Sequence, residues 1–188
     1  MPISLDKIKN RTIKVGVVGL GYVGLPLSLV FAEAGISVVG FDVDHSKINA
    51  IQECKSYIKH LSDSRIQRCV EVRKFSATSD FTHIAECDAV IICVPTPIGH
   101  HMEPDLKYIT NTAHSISPYL SPHTLVSLES TTWPGTTEEV LLPILEEGGK
   151  VKLGNNLYLA FSPEREDPGN KSFNTKNIPK LVGGADQI

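Results

Sequence analysis

Three glycines near the start of the chain occur at a spacing that is typical of phosphate-binding turns. Residues 19–24 read Gly-Leu-Gly-Tyr-Val-Gly, a GxGxxG pattern that lies between a predicted strand and a predicted helix. In this setting Gly19 permits a tight turn, Gly21 lets the backbone approach a pyrophosphate, and Gly24 lets helix and strand pack closely. Free N–H groups at the helix N-terminus also favour an anion. We therefore predict a cofactor-binding loop made by Gly19, Gly21, Tyr22, Val23 and Gly24.

Asp42 is the second residue whose type and position suggest ligand chemistry. It ends the next predicted strand, 18 residues after Gly24, where a carboxylate accepts hydrogen bonds from the adenosine ribose of a bound dinucleotide. Its charge would repel a 2′-phosphate, and no arginine follows before Arg65. The expected cofactor is therefore NAD rather than NADP. The alternative is a glycine turn that serves packing alone, with Asp42 as the N-cap of the following helix.

The elements that must position these residues alternate along the whole chain. The predicted strands are Ile13–Val18, Ser37–Phe41, Phe75–Ala77, Ala89–Val94, Thr124–Leu128 and Leu157–Phe161. The predicted helices run from Val23 to Ala34, from about Asp44, from Ser62 to Val70, from Asp105 to Tyr119 and from Gly135 to Glu147. Strands that are apolar on both faces and alternate with helices indicate a covered parallel sheet. The predicted fold class is α/β, a Rossmann-type doubly wound, mainly parallel sheet with helices on both faces.

Composition and charge exclude several other classes of protein. The 188 residues include 18 Lys and Arg against 21 Asp and Glu, a net charge of −3, and 41% are hydrophobic. This is a globular composition, and it offers no basic patch for a nucleic-acid backbone. The basic N-terminal residues before an apolar stretch suggest an export signal, but Gly16, Gly19, Gly21 and Gly24 interrupt that stretch. We expect small-molecule partners, with no nucleic acid and no membrane.

The cysteines and histidines do not form a metal-ligand pattern. Cys54, Cys69, Cys87 and Cys93 contain no CxxC pair, which favours reduced thiols and a cytoplasmic protein. Cys93 ends a predicted buried strand and is expected to be a core residue rather than a nucleophile. The adjacent His100-His101 pair lacks the separation usual for zinc ligands and indicates a solvated loop. No metal is therefore predicted.

Five ordered motifs resemble those of the UDP-glucose/GDP-mannose dehydrogenase family, and together they cover nearly the whole chain. They are Gly19 to Pro26, Val94-Pro95-Thr96-Pro97, Pro104-Asp105-Leu106, Ser130-Thr131 with Gly135-Thr136-Thr137, and Ser162-Pro163-Glu164. Residues 162–170 read Ser-Pro-Glu-Arg-Glu-Asp-Pro-Gly-Asn. This variant looks most like the UDP-N-acetylglucosamine 6-dehydrogenase branch of the family.

The resemblance implies an NAD-dependent enzyme that oxidises the C6 alcohol of UDP-N-acetylglucosamine, or of a close UDP-N-acetylhexosamine, to the uronic acid by two hydride transfers. The family places its catalytic cysteine and an oxyanion-stabilising lysine in later domains, and none of the four cysteines stands in that nucleophile motif. Residues 1–188 are therefore expected to be the NAD-binding domain alone, without the central helix and the C-terminal substrate domain, and inactive by themselves. The full-length enzyme is expected to be a homo-oligomer.

Matching motif positions imply roles for residues near the reacting carbon. Glu164 and Thr131 resemble the family residues that order or activate the attacking water near the sugar C6, and Thr131 also contacts the cofactor. Their structural alternatives are a turn cap for Glu164 and a loop anchor for Thr131. Arg165 is a candidate ligand of the substrate diphosphate, with a local ion pair to its acidic neighbours as the alternative.

Two further positions are assigned to the cofactor. The loop that begins at Val94 leaves a strand at its carboxyl end, where open α/β sheets bind ligands, and Thr96 can offer its hydroxyl there. Lys47 matches a basic family position near the adenosine phosphate or ribose, and its alternative is an ordinary solvated helix lysine.

Two other functions remain open from the sequence. A non-catalytic module that binds or senses NAD would share the glycine-rich turn, but it would need neither Glu164 nor Thr131 beside the nicotinamide. A hydroxyacid dehydrogenase would also share the turn, but that group usually has Met at the position of Val23 and lacks the Ser-Pro-Glu segment.

Overall fold

The strands of the chain form one mixed sheet. The computed structural model describes residues 5–99, 103–163 and 178–185. In these residues the sheet has seven strands: β1 (Lys14–Val18), β2 (Ser37–Phe41), β3 (Phe75–Thr78), β4 (Ala89–Ile92), β5 (Thr124–Leu128), β6 (Leu157–Phe161) and β7 (Gly183–Gly184). Their spatial order is β3-β2-β1-β4-β5-β6-β7. The first six are parallel, and β7 pairs antiparallel with β6.

Helices cover both faces of this sheet. They are α1 (Leu5–Lys9), α2 (Gly24–Glu33), α3 (His45–Gln52), α4 (Asp63–Glu71), α5 (Lys107–Ile116) and α6 (Leu142–Glu146), with 3-10 helices at Phe81–Glu86 and Ser117–Tyr119 and a π-helix at Thr136–Leu141. Buried residues of α2, α3 and α4 belong to one hydrophobic core, and those of α5 and α6 to another on the opposite face. The predicted doubly wound α/β fold is confirmed. No helix among the described residues is long and apolar enough to cross a membrane.

The apolar character of the strands follows from this double covering. In β4, Val90 and Ile92 pack into the core on the α5 side, whereas Ile91 between them packs into the core on the α2 side. Successive side chains of a strand point to opposite faces, so a strand that is covered on both sides must be apolar at every position. This explains the continuous apolar runs in the sequence.

Several element boundaries differ from the prediction. Strand β4 ends at Ile92 rather than Val94, and α5 ends at Ile116, after which Pro118 lies in a 3-10 turn. The predicted helix over 135–147 is divided into a π-helix and α6. Pro143 lies in the first turn of α6 and has no N–H to donate to the preceding turn, which favours the wider π geometry there.

Helix α1, the 3-10 helix at Phe81–Glu86 and strand β7 were not predicted. Helix α1 lies against the amino ends of the central strands, where Lys7 Nζ donates to Asp88 Oδ1 over 2.5 Å. The backbone N–H of Lys14 donates to the other oxygen of the same carboxylate over 2.9 Å. These contacts join residues 81 and 74 positions apart in sequence, so local residue patterns carry no signal for them.

The sheet has a topological switch point between β1 and β4. These strands are neighbours, with Val18 paired to Ile92, yet the chain continues from β1 toward β2 and from β4 toward β5, in opposite directions. The loops that leave the carboxyl ends of β1 and β4 therefore diverge and leave a crevice between them. Ligands of open α/β sheets bind at such a crevice.

Candidate dinucleotide-binding site

A cleft of about 660 Å³ opens at the carboxyl ends of β1, β2, β4 and β5. The predicted cofactor residues that line it are Gly19, Gly21, Tyr22, Val23, Asp42, Lys47, Val94, Thr96 and Thr131. Gly24 is the exception, because it lies behind the loop at the start of α2. Residues from four separate segments of the sequence are thus brought to one cavity.

The three glycines of the turn between β1 and α2 differ in what an added Cβ would meet. Gly19 has a φ of +93°, and a Cβ there would lie 2.7 Å from the Cys93 carbonyl oxygen. A Cβ at Gly24 would lie 1.9 Å from the Gly19 carbonyl oxygen, so helix and turn could not close. At Gly21 a Cβ would meet no atom within 4 Å and would project into open space. The turn therefore presents uncovered backbone to the cleft at Gly21, which fits a pyrophosphate.

Asp42 is a buried carboxylate in the wall of the cleft, with 6% of its surface exposed. Its Oδ2 accepts from the Leu20 N–H over 2.8 Å and from Lys47 Nζ over 2.9 Å. Its Oδ1 accepts from the Asp44 N–H over 3.0 Å. Asp42 therefore connects the end of β2 to the glycine-rich turn.

The alternative in which Asp42 caps the following helix is wrong. Asp44 is the N-cap of α3, since its side chain accepts from the Ser46 N–H over 2.9 Å. Hydrogen bonds from the Ser46 hydroxyl and N–H hold the pKa of Asp44 below its ordinary value. The two carboxylates at the end of β2 thus have separate tasks, and Asp42 is available to the cleft.

Lys47 is half-buried and forms an ion pair with Asp42, so it is not the freely solvated lysine of the alternative interpretation. It lies in the first turn of α3 and lines the cleft. The ammonium group offsets the cost of burying the Asp42 charge. Its predicted contact with the adenosine phosphate or ribose stays a prediction.

A segment between α3 and α4 supports the glycine-rich turn and was missed by the sequence analysis. Tyr57 Oη donates to the Leu20 carbonyl over 2.6 Å. Burial, together with the negative charges of Asp42 and Asp44, raises the pKa of Tyr57, so its phenol remains a donor. The rings of Tyr22 and His60 meet edge to face at 5.0 Å. The local signal was a group of apolar residues, Tyr57, Ile58 and Leu61, within a mostly polar connection.

The opposite wall of the cleft comes from the loops after β4 and β5. Ser130 Oγ donates to the Val94 carbonyl over 2.6 Å and so joins the two loops. Thr96 is half-buried, and Thr131 is exposed at the end of β5. Ser130 belongs to a motif that the sequence analysis identified, but its role as a link between the loops depends on the adjacency of β4 and β5.

Further lining residues that the sequence analysis did not assign to the cofactor come from helices and from the ends of β4 and β5. They include Phe81, Cys93, Tyr108, Asn111, Thr112, Ser115 and Glu129. Tyr108, Asn111 and Ser115 recur at helical spacing on α5, which could have marked one face of that helix. Phe81 stacks on Phe41 with ring centroids 5.6 Å apart. Glu129 is buried and forms an ion pair with Lys180.

The segment after β6 leads toward two predicted catalytic and substrate residues, Glu164 and Arg165, which lie outside the described residues. Ser162 donates its N–H to the Leu128 carbonyl over 3.0 Å, so the segment begins beside the end of β5. The Ser162 Oγ is buried and has no hydrogen-bond partner among the described residues. Trp133 lines a separate depression and does not line the cleft.

The cysteines make no disulfide, and Cys69 and Cys87 are buried. Burial raises the pKa of the Cys87 thiol to about 12, which leaves it protonated and unreactive near neutral pH. Cys93 is half-buried, with its Cβ against Gly24. Within the described ranges no group of three or more His, Cys, Asp or Glu side chains could hold a metal ion; His100 and His101 lie outside those ranges.

The arrangement can hold a diphosphate on the glycine-rich turn and a ribose at Asp42. The comparisons with known proteins agree with this. Residues 13–188 match the model of the UDP-glucose/GDP-mannose dehydrogenase family, NAD binding domain. The chain is 36% identical over 173 residues to a UDP-N-acetyl-D-glucosamine 6-dehydrogenase of Salmonella typhi, a match that covers 92% of this chain and 40% of that protein.

Two solved structures show the same fold. An NDP-N-acetyl-D-galactosaminuronic acid dehydrogenase from Methanosarcina mazei Go1 has a TM-score of 0.85 at 35% identity, over 100% of this chain and 42% of that one. A UDP-D-ManNAc dehydrogenase from Pyrococcus horikoshii has a TM-score of 0.83 at 31% identity, over 92% of this chain and 41% of that one. The chain thus spans about 40% of the length of the curated relative. It belongs to the UDP-glucose/GDP-mannose dehydrogenase family, of which it contains the NAD-binding domain.

Proposed function

We propose that this chain holds NAD for an enzyme that oxidises the C6 alcohol of a UDP-N-acetylhexosamine to a carboxylate. The observation that carries the proposal is the cleft at the switch point, with buried Asp42 at one end and Thr131 at the other. A dinucleotide laid across the switch point of such a sheet places its two nucleotides on the two sides. The adenosine would lie toward Asp42 and the nicotinamide toward Thr131.

Asp42 has capacity for a ribose contact beyond its contacts within the protein. An ionised carboxylate offers about four acceptor positions, and the backbone N–H groups of Leu20 and Asp44 together with Lys47 Nζ occupy three. A ribose hydroxyl can take the remaining position. A 2′-phosphate would bring further negative charge against this buried anion, which is the physical basis for NAD over NADP.

The reaction requires two oxidations and one water. When bound, NAD supplies the acceptor for the hydride that leaves the sugar C6, and two NAD are reduced for each alcohol converted to an acid. Thr131 is exposed to the cleft at the end of β5, where its hydroxyl can order the attacking water. Glu164 follows the segment that starts beside Leu128, and we assign it to the same water. Arg165 is assigned to the substrate diphosphate.

Two observations support an N-acetylated hexosamine as the sugar of the substrate. One is the run Ser162 to Asn170, which looks like the UDP-N-acetylglucosamine 6-dehydrogenase branch. The other is that the three relatives described above are named for N-acetylated hexosamines or their uronic acids. We propose UDP-N-acetylglucosamine first, with its C2 and C4 epimers as the competing substrates.

The substrate assignment is tested by comparing kcat/KM of the intact protein for UDP-N-acetylglucosamine, UDP-N-acetylgalactosamine, UDP-N-acetylmannosamine and UDP-glucose. An N-acetylated sugar should be preferred, because a pocket that hydrogen-bonds the acetamido group leaves polar groups unpaired around a sugar that lacks it. Preference for UDP-glucose would refute the class, and preference for an epimer would correct only the sugar.

The cofactor assignment is tested on the 188-residue chain itself. We expect it to bind NAD in calorimetric titration but to give no sustained NADH absorbance with any UDP-sugar, because no cysteine here stands in the family's nucleophile motif. Sustained NADH formation that disappears in Cys93→Ser would show that the nucleophile lies in this chain after all.

A further inference from the structure

Glu129 is a buried carboxylate for which the proposed reaction has no use. It directly follows β5, has 6% of its surface exposed and lines the cleft. Its backbone N–H donates to the Ile92 carbonyl over 2.9 Å, which ties it to the end of β4. A charge that is removed from water at a ligand cleft costs free energy unless it is compensated there. Its burial in the cleft lining beside Ser130 and Thr131 therefore points to a task in the cleft.

Lys180 compensates the negative charge of Glu129 from outside the cleft. Its Nζ forms an ion pair with Glu129 Oε2, and 30% of the lysine side chain is exposed. Lys180 belongs to the segment that leads into β7 and, unlike Glu129, does not line the cleft. The anionic member of the pair therefore faces the ligand space, whereas the cationic member lies outside it.

Glu129 lies on the side of the cleft opposite to Asp42. Asp42 directly follows β2, and Glu129 directly follows β5, on the other side of the β1/β4 switch point. If NAD lies across this point as in the proposed function, on which this inference rests, its nicotinamide shares the side that contains Glu129. The oxidised nicotinamide ring is a cation, and the reduced ring is neutral. A carboxylate in a poorly solvated site therefore interacts differently with the two.

We propose that the Glu129–Lys180 pair sets the preference of the cleft for oxidised over reduced cofactor. The carboxylate stabilises the cationic ring of NAD⁺ more than the neutral ring of NADH, and Lys180 limits the size of this difference. The proposed reaction needs two NAD⁺ for each substrate, so NADH must leave between the oxidations. A cleft that binds NAD⁺ in preference to NADH favours that exchange.

The test is the ratio of two dissociation constants on the intact protein, without turnover. NADH is titrated by its fluorescence and NAD⁺ by calorimetry, for the wild type, Glu129→Gln and Lys180→Met. Glu129→Gln leaves the lysine charge uncompensated, so Kd(NADH)/Kd(NAD⁺) should fall by about tenfold. Lys180→Met leaves the carboxylate charge in place, so the same ratio should rise.

Matched variants separate this effect from loss of structure. Glu86 pairs with Lys14 at the other end of the sheet and outside the cleft, so Glu86→Gln should leave the ratio unchanged. Lys180→Arg keeps the charge and should keep the wild-type ratio. If Lys180→Met does not fold by circular dichroism, the sign of the Glu129→Gln shift decides alone.

Two results would overturn the inference, and they differ in what else they overturn. If Kd(NADH)/Kd(NAD⁺) is unchanged in Glu129→Gln, even when both constants change by the same factor, the pair serves stability alone. The proposed function would then remain intact. Failure of the wild-type protein to bind either NAD⁺ or NADH would overturn the proposed function and this inference together.

Discussion

Both sides of the cleft contain a buried carboxylate paired with a lysine, but the two lysines come from different parts of the chain. In each, a carboxylate that is 6% exposed stands at the end of a strand and pairs with a lysine: Asp42 with Lys47, and Glu129 with Lys180. The partners of Asp42 lie at most 22 positions away in sequence, whereas Lys180 is 51 positions from Glu129. The first group is built from the β1-α2-β2 unit and the start of α3, and the second requires the segment at the far edge of the sheet.

The two carboxylates are held in place by different kinds of contact. Asp42 accepts two backbone N–H groups in addition to its lysine, so the local chain geometry keeps it in place. Among the described contacts of Glu129, the ion pair comes from a segment that must first dock beside β6. We therefore expect the first side to depend on the glycine-rich turn and the second on its distant lysine.

The largest expected effect comes from breaking the turn that Asp42 holds. In Gly24→Ala the new Cβ would lie 1.9 Å from the Gly19 carbonyl oxygen, so the backbone must move. Overpacking of this kind should cost about 3 kcal/mol or more and abolish NAD binding. Circular dichroism melting should show Tm lower by about 6 °C or more.

Gly148→Ala is the control for this variant, because a Cβ there meets no atom within 4 Å. It should melt and bind NAD like the wild type. A Gly24→Ala protein that behaves like this control would mean that the turn is not the rigid support described above.

The next largest effect should come from Asp42→Ala. Loss of a hydrogen bond to a charged group costs about 1.5–3 kcal/mol, about ten- to a hundredfold in NAD affinity. NADP affinity should not fall in parallel, because the repulsion of its 2′-phosphate is removed as well. Calorimetric titration with both cofactors measures this ratio.

Asp80→Ala provides the comparison for Asp42→Ala, since Asp80 caps the 3-10 helix at Phe81–Glu86 and does not line the cleft. It should leave the NAD to NADP ratio unchanged. NADP that binds the wild type as tightly as NAD would contradict the ribose role of Asp42.

The smallest expected effects are on the free energy of unfolding when Lys180 or Lys47 is replaced by methionine. Lys180→Met should lower the free energy of unfolding by about 1–2 kcal/mol, less than for a fully buried pair because part of Lys180 stays in water. Lys47→Met should cost less than about 1 kcal/mol, because Asp42 keeps its two N–H donors. Urea denaturation measures both, and a larger loss in Lys47→Met would reverse the comparison.

Most of the sheet and one side of the site could be predicted from residue types and spacing. Strands β2, β5 and β6 have the predicted boundaries, because runs that are apolar on both faces end where the chain leaves the core. Gly24 and Asp42 were identified because each meets a constraint set by residues nearby in sequence, and Gly19 because the turn requires its positive φ. Periodicity also indicated α2 to within a residue, since its buried face repeats within a few turns.

The remainder depended on contacts between distant segments. The support of the glycine-rich turn by Tyr57, the link from Ser130 to Val94 and the pair of Glu129 with Lys180 join residues that lie 36 to 51 positions apart. Strand β7 has two glycines and no apolar pattern, so only its pairing with β6 defines it. Pro143 was visible in the sequence, but the division of the predicted helix into a π-helix and α6 was not predicted from it.

Sequence patterns alone therefore predicted a doubly wound sheet, from the alternation of apolar strands with helices along the chain. They also predicted a phosphate-binding turn and a carboxylate suited to ribose, because both arise from residues within one βαβ unit. The tertiary structure decided which loops meet across the switch point, which carboxylates are buried, and which lysine compensates each. Burial and charge compensation are properties of all the segments that surround a side chain. The burial and the pairing of Asp42 and Glu129 are set only when β1 and β4 are adjacent and the segment that contains Lys180 is docked at the edge of the sheet.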